Sequence, residues 1–420
     1  MSVLASIKIR ESLKVPTIIE ATYRIVTPMF IGDAQQEATT ISPQSVKGAL
    51  RFWWRALMWG EIRAEKKFNT DELALKELHK QEAELFGSAK DETTKTGGHG
   101  KFSLKVSTAE YDSVKKDNAH ANFRNYTAAR YFGYGLMEAF GQNAGVLSRS
   151  CIQHNQTFSV TLIFKEQAEK SILDALTVMG LLGGLGSRVR RGIGSIQIET
   201  LTSTYNATKE TKFIPPKTLD EYKTAITKYI TQPNVSMPFS TFTNKTRIDC
   251  LVTKTTPFDV LNDLAKGMMM YRSWGKDGLV LGQDREGNFK TDHDWKYGKH
   301  VKDFHPRRVI FGLPHNYGKG AALAVMPELQ NKPYPDGYFK HDRRASPLWL
   351  HIHQIGSQFI GVATLFPADF LPKGEKINAG GKNVPTKVEW SVLTNFLDGK
   401  TKQGSLRFPD KKAILKGENL

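Results

Sequence analysis

Two kinds of hydrophobic repeat alternate along the first half of the chain, and their order limits the possible folds more than any other feature. Runs in which every second residue is apolar predict strands at Thr17–Val26, Phe102–Val106, Phe158–Phe164 and around Ile196 and Ile198. Apolar residues at helical spacing predict helices from Pro43 to about Ala64 and from about Glu166 to Leu182. The elements therefore follow each other as β-α-β-β-α-β, which is the order of a split β-α-β unit.

The second half repeats much of this succession, with elements predicted at Ile248–Val252, Pro257–Trp274, Leu348–Ile355, Phe359–Phe366 and Lys387–Leu397. A polar stretch over residues 275–303 interrupts it and predicts a loop or lid. We therefore predict an α+β protein of two ferredoxin-like (RRM-like) domains with insertions. The predicted division is 1–202 for the first domain, 203–243 for a connector with one short helix, and 244–420 for the second domain.

The charge balance indicates the class of partner. The chain carries 59 Lys and Arg against 42 Asp and Glu, a formal net charge of +17 with a pI near 9.6. A folded protein with such an excess of cations commonly binds nucleic acid or another polyanion. A basic protein-interaction module that meets acidic proteins is the alternative.

Cysteine usage and hydropathy exclude other classes. Cys151 and Cys250 each lie in an alternating apolar run, which predicts buried thiols rather than a disulfide or a thiolate metal site. We find no apolar stretch of membrane-spanning length and no secretory type of start, so we expect a cytoplasmic protein.

Three cations recur along one face of the long helix that follows the first strand. Lys47, Arg51 and Arg55 stand four residues apart, so their side chains line up on one side. No Asp or Glu occurs between Ser42 and Gly60 to pair with these cations, so we expect their charges to be uncompensated. The pattern is typical of a helix that follows a phosphate backbone, and a solvated helix face is the alternative.

The segment GLLGGLGSRVRRGIGS, residues 180–195, combines six glycines with Arg188, Arg190 and Arg191. Glycine lets a backbone approach a ligand closely, free amides donate to phosphate oxygens, and arginines add bidentate donors. The spacing matches neither a dinucleotide fingerprint nor a P-loop, and both of those motifs precede a helix whereas this segment follows one. We predict an anion-binding loop, with glycine needed only for tight packing as the alternative.

Five segments together carry a family resemblance: TPMFIGDAQ (27–35), ISPQSVKGALRFWWRAL (41–57), EAELFGS (82–88), GGLGSRVRRGIG (183–194) and RRASPLWLHI (343–352). The glycine- and arginine-rich loop after the second helix resembles the RAMP superfamily of RNA-binding CRISPR-Cas proteins. The five segments as a set resemble, within it, the family of first Cmr subunits of type III-B effector complexes. They extend to about residue 352, and the resemblance is weakest between residues 203 and 340.

This resemblance implies a non-catalytic subunit at one end of a ribonucleoprotein complex that acts in antiviral defence. Its partners would be other Cmr subunits, the 3′ part of the guide RNA (crRNA) and the paired target RNA, without a membrane, metal or cofactor. The matched cations are Lys47, Arg51, Arg55, Arg188, Arg190 and Arg191, and, with a less defined role, Arg343 and Arg344.

The run NFRNYTAARYFGYG adds candidates that the resemblance does not supply. Arg124, Arg130, Tyr131 and Tyr134 combine cations with aromatic surfaces, as single-stranded RNA binding requires, although such aromatics are core residues equally often.

Enzymes are the competing class, because some RAMP relatives are metal-independent endoribonucleases that use a His as general acid or base. The chain has 11 histidines, so an endoribonuclease acting on CRISPR-derived RNA is the alternative function. Metal-assisted hydrolysis is a weaker one, on the His- and Asp-rich residues 292–305 and on His341, Asp342, His351 and His353. No HExxH motif occurs, and we expect His351 and His353 to form a surface pair beside Trp349.

Overall fold

The computed structural model of the chain describes residues 15–33, 35, 37–89, 97–107, 110–165, 167–275, 277–296, 304–316, 324–327 and 343–418. The elements of the first half are β1 (Thr17–Ile25), α1 (Pro43–Ala64), α2 (Asp71–Phe86), β2 (Gly87–Ser88), β3 (Gly98–His99), β4 (Phe102–Val106), β5 (Ser113–Val114), α3 (Ala121–Asn125), α4 (Thr127–Phe132), β6 (Cys151–Ile152), β7 (Thr157–Phe164), α5 (Lys170–Leu182), β8 (Ile196–Tyr205), β9 (Thr208–Phe213) and α6 (Leu219–Tyr229).

The main sheet of this half has the order β4-β7-β1-β8-β9, and all neighbouring strands are antiparallel. Strand β1 lies at its centre, with Ala21 opposite Val160 on β7 and Leu201 on β8. The predicted β-α-β-β-α-β order is confirmed for β1, α1, β4, β7, α5 and β8. In space these four strands follow the order second, third, first, fourth.

Helix α1 begins where the sequence predicts, because Ser42 caps it. The Ser42 hydroxyl oxygen accepts a hydrogen bond from the Ser45 N–H at 3.1 Å, and Pro43 occupies the first helical position. The apolar face of α1 buries the indoles of Trp53, Trp54 and Trp59 in the core against α2 and α5. The polar face of the helix is therefore left beside solvent.

The first sheet continues into the segment predicted as connector. The predicted boundary at residue 202 falls inside β8, and β9 pairs with β8 from Leu201 opposite Phe213 to Tyr205 opposite Thr208. The short helix predicted in this segment is confirmed as α6, whose N-cap Thr218 accepts from the Glu221 N–H at 3.2 Å.

The elements of the second half are β10 (Arg247–Lys254), α7 (Pro257–Arg272), β11 (Leu279–Val280), β12 (Gln283–Asp284), α8 (Lys290–Lys296), β13 (His315–Asn316), β14 (Ala324–Pro327), β15 (Leu348–Ile355), β16 (Gln358–Leu365), β17 (Lys376–Ala379), β18 (Lys382–Pro385), α9 (Ser391–Asp398) and β19 (Lys412–Leu415). Two 3₁₀ turns span Lys66–Phe68 and Arg307–Phe311. The predicted loop at 275–303 is structured in its described part, where it contains β11, β12 and α8.

The second half builds an antiparallel sheet with the order β15-β16-β10-β19. Counting β10, β15, β16 and β19 as first to fourth, the spatial order is again second, third, first, fourth. The last strand was not predicted, because four residues with only two buried positions carry too short an alternation. A further sheet has the order β13-β14-β17-β18, and its strands are interspersed along the chain with those of the β15-β16-β10-β19 sheet. The protein is thus a mixed α and β structure with antiparallel sheets.

The two halves meet along β15. The Leu350 N–H donates to the Arg190 carbonyl oxygen at 3.0 Å, and the Ile352 N–H donates to the Ser195 hydroxyl at 3.1 Å. One hydrophobic cluster contains Trp53 of α1 together with Trp349 of β15. The glycine-rich segment is therefore enclosed between the halves. Among the described helices, none is both long and apolar enough to cross a membrane.

Candidate nucleic-acid interface

The glycine-rich segment, residues 183–194, forms a tight loop between α5 and β8. Gly186 has φ +89°, and a Cβ there would meet the Phe30 carbonyl oxygen at 2.6 Å. Gly194 has φ +70° and lies against the Leu185 carbonyl oxygen. These glycines are therefore required by contacts with the protein's own backbone.

The backbone amides of this loop are also used within the protein. The N–H groups of Leu185 and Ser187 donate to the carbonyl oxygens of Gly194 and Phe30, at 2.9 and 2.8 Å. The Gly194 N–H donates to the Pro28 carbonyl oxygen at 3.0 Å. The prediction that loop amides donate to a phosphate is therefore wrong for Leu185, Ser187 and Gly194, because their hydrogens are committed to structural bonds. What the loop can offer a ligand is its arginines.

Two of the three loop arginines, Arg188 and Arg190, have different surroundings. Arg188 is exposed, has φ +60°, and donates from Nη2 to the Tyr134 carbonyl oxygen at 2.8 Å. Arg190 lies over the rings of Phe52 and Trp349, with its Cζ 5.4 and 5.0 Å from their centroids, and donates to the Ser346 carbonyl oxygen. The Arg190 guanidinium thus joins α1, the loop and β15.

A cavity of about 400 Å³ gathers these arginines with others that are distant in sequence. We call it the arginine cavity. Its arginines are Arg188, Arg190, Arg191, Arg272, Arg343 and Arg344. None of the described residues that line it is acidic.

The arginines of this cavity repel one another. Burial lowers the pKa of Arg190 to about 9, with the Arg344 charge as a second cause. Burial also lowers the pKa of Arg191 to about 10, and the Arg272 charge adds to the effect. The pKa of Arg188 shifts in the same direction, through burial and then Arg343. Guanidinium groups stay protonated near neutral pH, so these shifts express first the cost of burying the cations and second the repulsion between them.

The three cations on one face of α1, Lys47, Arg51 and Arg55, have a different environment, and we call them the stripe. Arg51 and Arg55 both contact the Glu82 carboxylate of α2, at 2.5 and 2.9 Å, and that carboxylate is buried. The expectation that these cations lack a partner is therefore wrong, because the partner comes from the neighbouring helix. Lys47, Arg51 and Arg55 remain partly exposed, and one carboxylate offsets only one of three charges.

Shared cavities connect the stripe to the arginine cavity. A cavity of about 650 Å³ is lined by Lys47 and Arg51 together with Lys101 and Lys165. Another, of about 440 Å³, places Arg55 beside Arg190 and Arg344. The stripe and the loop, which are separate in sequence, thus form one basic surface, the basic track.

The aromatic and basic insert divides into surface and core residues. Arg124 and Tyr134 are exposed, whereas Tyr131 is half-buried. Arg130 is buried and donates to the carbonyl oxygens of Phe123, Arg124 and Ala139. The structure gives no support to an RNA contact for Arg130, because its donors hold the backbone of the insert.

The two arginines before β15 also differ. Arg343 is exposed at the arginine cavity. Arg344 donates to the carbonyl oxygens of Phe370 and Asp369 and lies over the Phe370 ring. The pKa of Arg344 is lowered by burial, so this side chain both lines the cavity and anchors the 366–371 segment.

The structure adds cations that sequence reasoning missed, namely Lys101, Lys165 and Arg272. Arg272 ends α7, and its Nη2 lies 3.4 Å from His315 Nε2. Arginine only donates, so His315 Nε2 is the acceptor and the imidazole is neutral. Burial and Arg272 hold the pKa of His315 well below its usual value, in agreement with that assignment. Nothing in the local sequence indicates that Arg272 faces residues 188–191.

The two histidines of β15 and Asp292 of the 292–305 stretch make structural contacts. His351 and His353 are buried, not a surface pair: His351 Nδ1 lies 2.8 Å from the Gly183 carbonyl oxygen, and the two rings are 3.3 Å apart at their nearest nitrogens. The expectation failed because the glycine-rich loop covers this face of β15. Asp292 is buried and accepts from the Arg307 and Arg308 N–H groups. His300, Asp303, His341 and Asp342 lie outside the described residues, and within the described ones no three His, Cys, Asp or Glu side chains converge as a metal site.

Comparison with known proteins gives three findings. The model of the RAMP superfamily matches residues 22–197. The CRISPR system Cmr subunit Cmr1-1 of Pyrococcus furiosus is 26% identical over 373 residues, covering 86% of this chain and 88% of that protein. Cmr1-2 of the same organism is 26% identical over 191 residues, covering 42% of this chain and 92% of that protein.

The fold likeness extends beyond the superfamily segment. The apo crystal structure of Cmr1 from Pyrococcus furiosus aligns with a TM-score of 0.50 at 17% identity, covering 96% of this chain and 99% of that one. The similarity in fold therefore includes the second half of the chain.

Proposed function

We propose, from the match of residues 22–197 to the model of the RAMP superfamily, that the chain is an RNA-binding, non-catalytic subunit of a type III-B Cmr ribonucleoprotein complex. In that complex it helps to hold the 3′ part of the guide RNA and the paired target RNA. The observation that carries the proposal is the arginine cavity, where six arginines converge and no described lining residue is acidic. The relatives named as Cmr subunits support the assignment.

The strand order supports the domain part of the proposal. Both sheets place their strands in the order second, third, first, fourth around two helices, which is the arrangement of a ferredoxin-like domain. We infer two such domains, with the first sheet continuing through β9 and a connector that contains α6. The arginine cavity then lies between the domains, where a long strand of RNA has access to both.

The electrostatics of the cavity favour a polyanion over a protein partner. Burying like charges together is unfavourable unless an opposite charge completes the site. A phosphate backbone supplies a row of negative charges that can meet the cations of the basic track in succession. We assign phosphate contacts to Lys47, Arg51, Arg55, Arg124, Arg188, Arg343 and Arg344, while Arg190 and Arg191 shape the cavity.

A binding role also fits the chemistry of the histidine at the cavity. His315 is neutral and accepts from Arg272, so its Nε2 lone pair is committed to positioning that arginine. A general base needs a free lone pair and a pKa near the working pH. We therefore propose that bound RNA stays intact.

The first test asks whether RNA that is bound to the chain stays intact. The purified full chain is mixed with an end-labelled single-stranded RNA of about 40 nucleotides, long enough to span several binding surfaces, with and without divalent metal. We expect bound RNA that remains intact on a denaturing gel. Discrete products would overturn the non-catalytic assignment, and His315→Gln would then be the first variant to examine.

The site assignment is tested by removing two exposed cations of the cavity. For Arg188→Ala with Arg343→Ala, we expect the salt slope of log K to fall by about 1.4, roughly 0.7 for each phosphate that the variant no longer neutralises. The control is Lys105→Ala with Lys223→Ala, which removes the same charge from exposed positions on β4 and α6. An equal fall in both double variants would mean that binding follows net charge and not this site.

A further inference from the structure

Two exposed aromatic side chains stand on the segment between α4 and β6. Tyr134 is 62% exposed and Phe140 is 60% exposed. Phe140 belongs to none of the sequence motifs. Both residues lie within 133–147, which we call the aromatic loop.

The aromatic loop has a fixed shape. The Glu138 N–H donates to the Val146 carbonyl oxygen at 2.9 Å, and the Gly145 N–H donates back to the Glu138 carbonyl oxygen at 2.8 Å. The Ser148 N–H closes the loop by donating to the Leu136 carbonyl oxygen at 2.9 Å. Such a loop presents its side chains with little further loss of conformational entropy on binding.

Arg130 supports this loop from inside. Its Nε donates to the Ala139 carbonyl oxygen, next to Phe140, at 3.0 Å. Its Nη1 donates to the carbonyl oxygens of Phe123 and Arg124, at 3.1 and 2.7 Å. Arg130 therefore acts as a positioning residue that ties the base of the loop to α3.

The aromatic loop also borders the arginine cavity. Arg188 Nη2 donates to the Tyr134 carbonyl oxygen at 2.8 Å, and a Cβ on Gly135 would lie 3.4 Å from the same nitrogen. Arg191 Nη1 donates to the Phe132 carbonyl oxygen at 3.4 Å. One face of the loop is thus held by the cations that line the cavity.

We propose that the aromatic loop is a stacking platform for unpaired RNA bases, with Tyr134 and Phe140 as the stacking residues. The inference rests on the proposed function. It narrows the ligand class to single-stranded RNA at the place where the aromatic loop borders the arginine cavity. Exposed rings beside cations are the combination that binds unpaired nucleotides, because every free base offers an aromatic face. In a duplex the base faces are already stacked, so the loop gains nothing from paired RNA.

The test compares three RNA probes of one sequence on the full chain by fluorescence anisotropy: a single strand, the same strand paired to its complement, and a strand with abasic positions. For Tyr134→Ala with Phe140→Ala, we expect affinity for the single strand to fall at least about tenfold, with the salt slope unchanged. Affinity for the duplex and for the abasic strand should not change. The matched control is Tyr205→Ala, which removes an exposed tyrosine from the β8–β9 hairpin.

Arg130→Lys separates positioning from direct contact. Lysine keeps the charge but carries its donors on one nitrogen, so it cannot replace the bonds that Arg130 makes from two separate nitrogens to Ala139 and to Phe123 and Arg124. We therefore expect the single-strand affinity to fall with an unchanged salt slope. A single-strand affinity equal to that of the wild-type chain would contradict the positioning role.

The outcomes separate this inference from the proposed function. If the wild-type chain binds no RNA, both fail. Two outcomes would overturn only the stacking platform. In the first, the wild-type chain binds RNA and the double variant binds the single strand as tightly as the wild type does. In the second, the double variant loses the same amount of affinity for the single strand and for the duplex. Failure to assemble with other Cmr subunits at unchanged RNA affinity would identify the loop as a protein-binding surface and overturn the inference.

Discussion

The arginines of α1 and those of the glycine-rich loop look alike in sequence but meet opposite surroundings. Arg51 and Arg55 share one buried carboxylate, Glu82, and stay partly exposed on a single helix. Arg190 instead lies between aromatic rings from both halves of the molecule, and the charge of Arg344 adds to the burial that lowers its pKa. A row of cations on a helix is thus partly neutralised by whatever packs beside it, whereas the cavity between the two halves of the chain brings arginines together with no acidic side chain among its described lining residues.

The largest loss of stability should follow when Arg190 is replaced. Arg190→Ala deletes the packing against Phe52 and Trp349 and a hydrogen bond to Ser346, so we expect the free energy of unfolding to fall by about 3 kcal/mol. Urea denaturation checks this. Arg51→Ala is the comparison on the stripe, and we expect it to cost less because its side chain is 38% exposed. Equal costs would show that the loop arginine is not a structural link between the halves.

The closure of the loop on β15 should depend on pH. His351 bonds the Gly183 carbonyl oxygen, and burial lowers its pKa to about 3. The groups that surround it include His353, whose pKa is itself lowered by burial and by His351 and Arg24, and Tyr222, which packs on the His353 ring.

Between about pH 6.5 and pH 3 the unfolded chain therefore binds more protons than the folded chain at this site. Stability falls as the pH falls through that window, by about 1 to 2 kcal/mol between pH 7 and pH 5 for this histidine. Urea titrations at the two pH values measure it, and His351→Asn should reduce the difference while keeping a donor for Gly183. His79→Gln, an exposed histidine on α2, is the control. An unchanged pH dependence in His351→Asn would contradict the assignment.

The smallest expected effect is a change in RNA affinity caused by removing the carboxylate that contacts the stripe. Glu82→Gln leaves Arg51 and Arg55 without a counter-charge, so RNA affinity should rise about two- to fivefold at low salt, an effect of less than about 1 kcal/mol. Anisotropy titrations against Glu77→Gln, on the same helix, measure it. If affinity does not rise, these arginines do not face the RNA.

Sequence reasoning was strongest where the evidence is local. The cap at Ser42 and the apolar spacing located α1, and alternation located β1, β4, β7 and β15 to within a residue or two. It failed at β19, where four residues are too few for a pattern, and at the β8–β9 boundary, where a polar strand resembles a linker. The polar faces of edge strands carry no hydrophobic alternation that would distinguish them from loops.

The candidate site was identifiable only in part. The resemblance selected Arg188, Arg190 and Arg191, and their position between the halves agrees with a shared anion site. Whether each arginine reaches the surface could not be predicted, because Arg130 and Arg124 belong to the same basic run, yet one is buried and the other exposed. Arg272 and Lys101 lie in segments with no motif at all.

The sequence by itself determined the order of strands and helices, the excess of positive charge and the motifs that resemble an RNA-binding superfamily, because each of these depends on neighbouring residues or on composition. The tertiary structure decided which cations are neutralised, which are buried and which meet between the two halves of the chain. Those outcomes depend on pairs such as Arg51 with Glu82 and Arg190 with Trp349. Electrostatic interactions depend on distance in space and on burial, and neither can be read from separation along the chain.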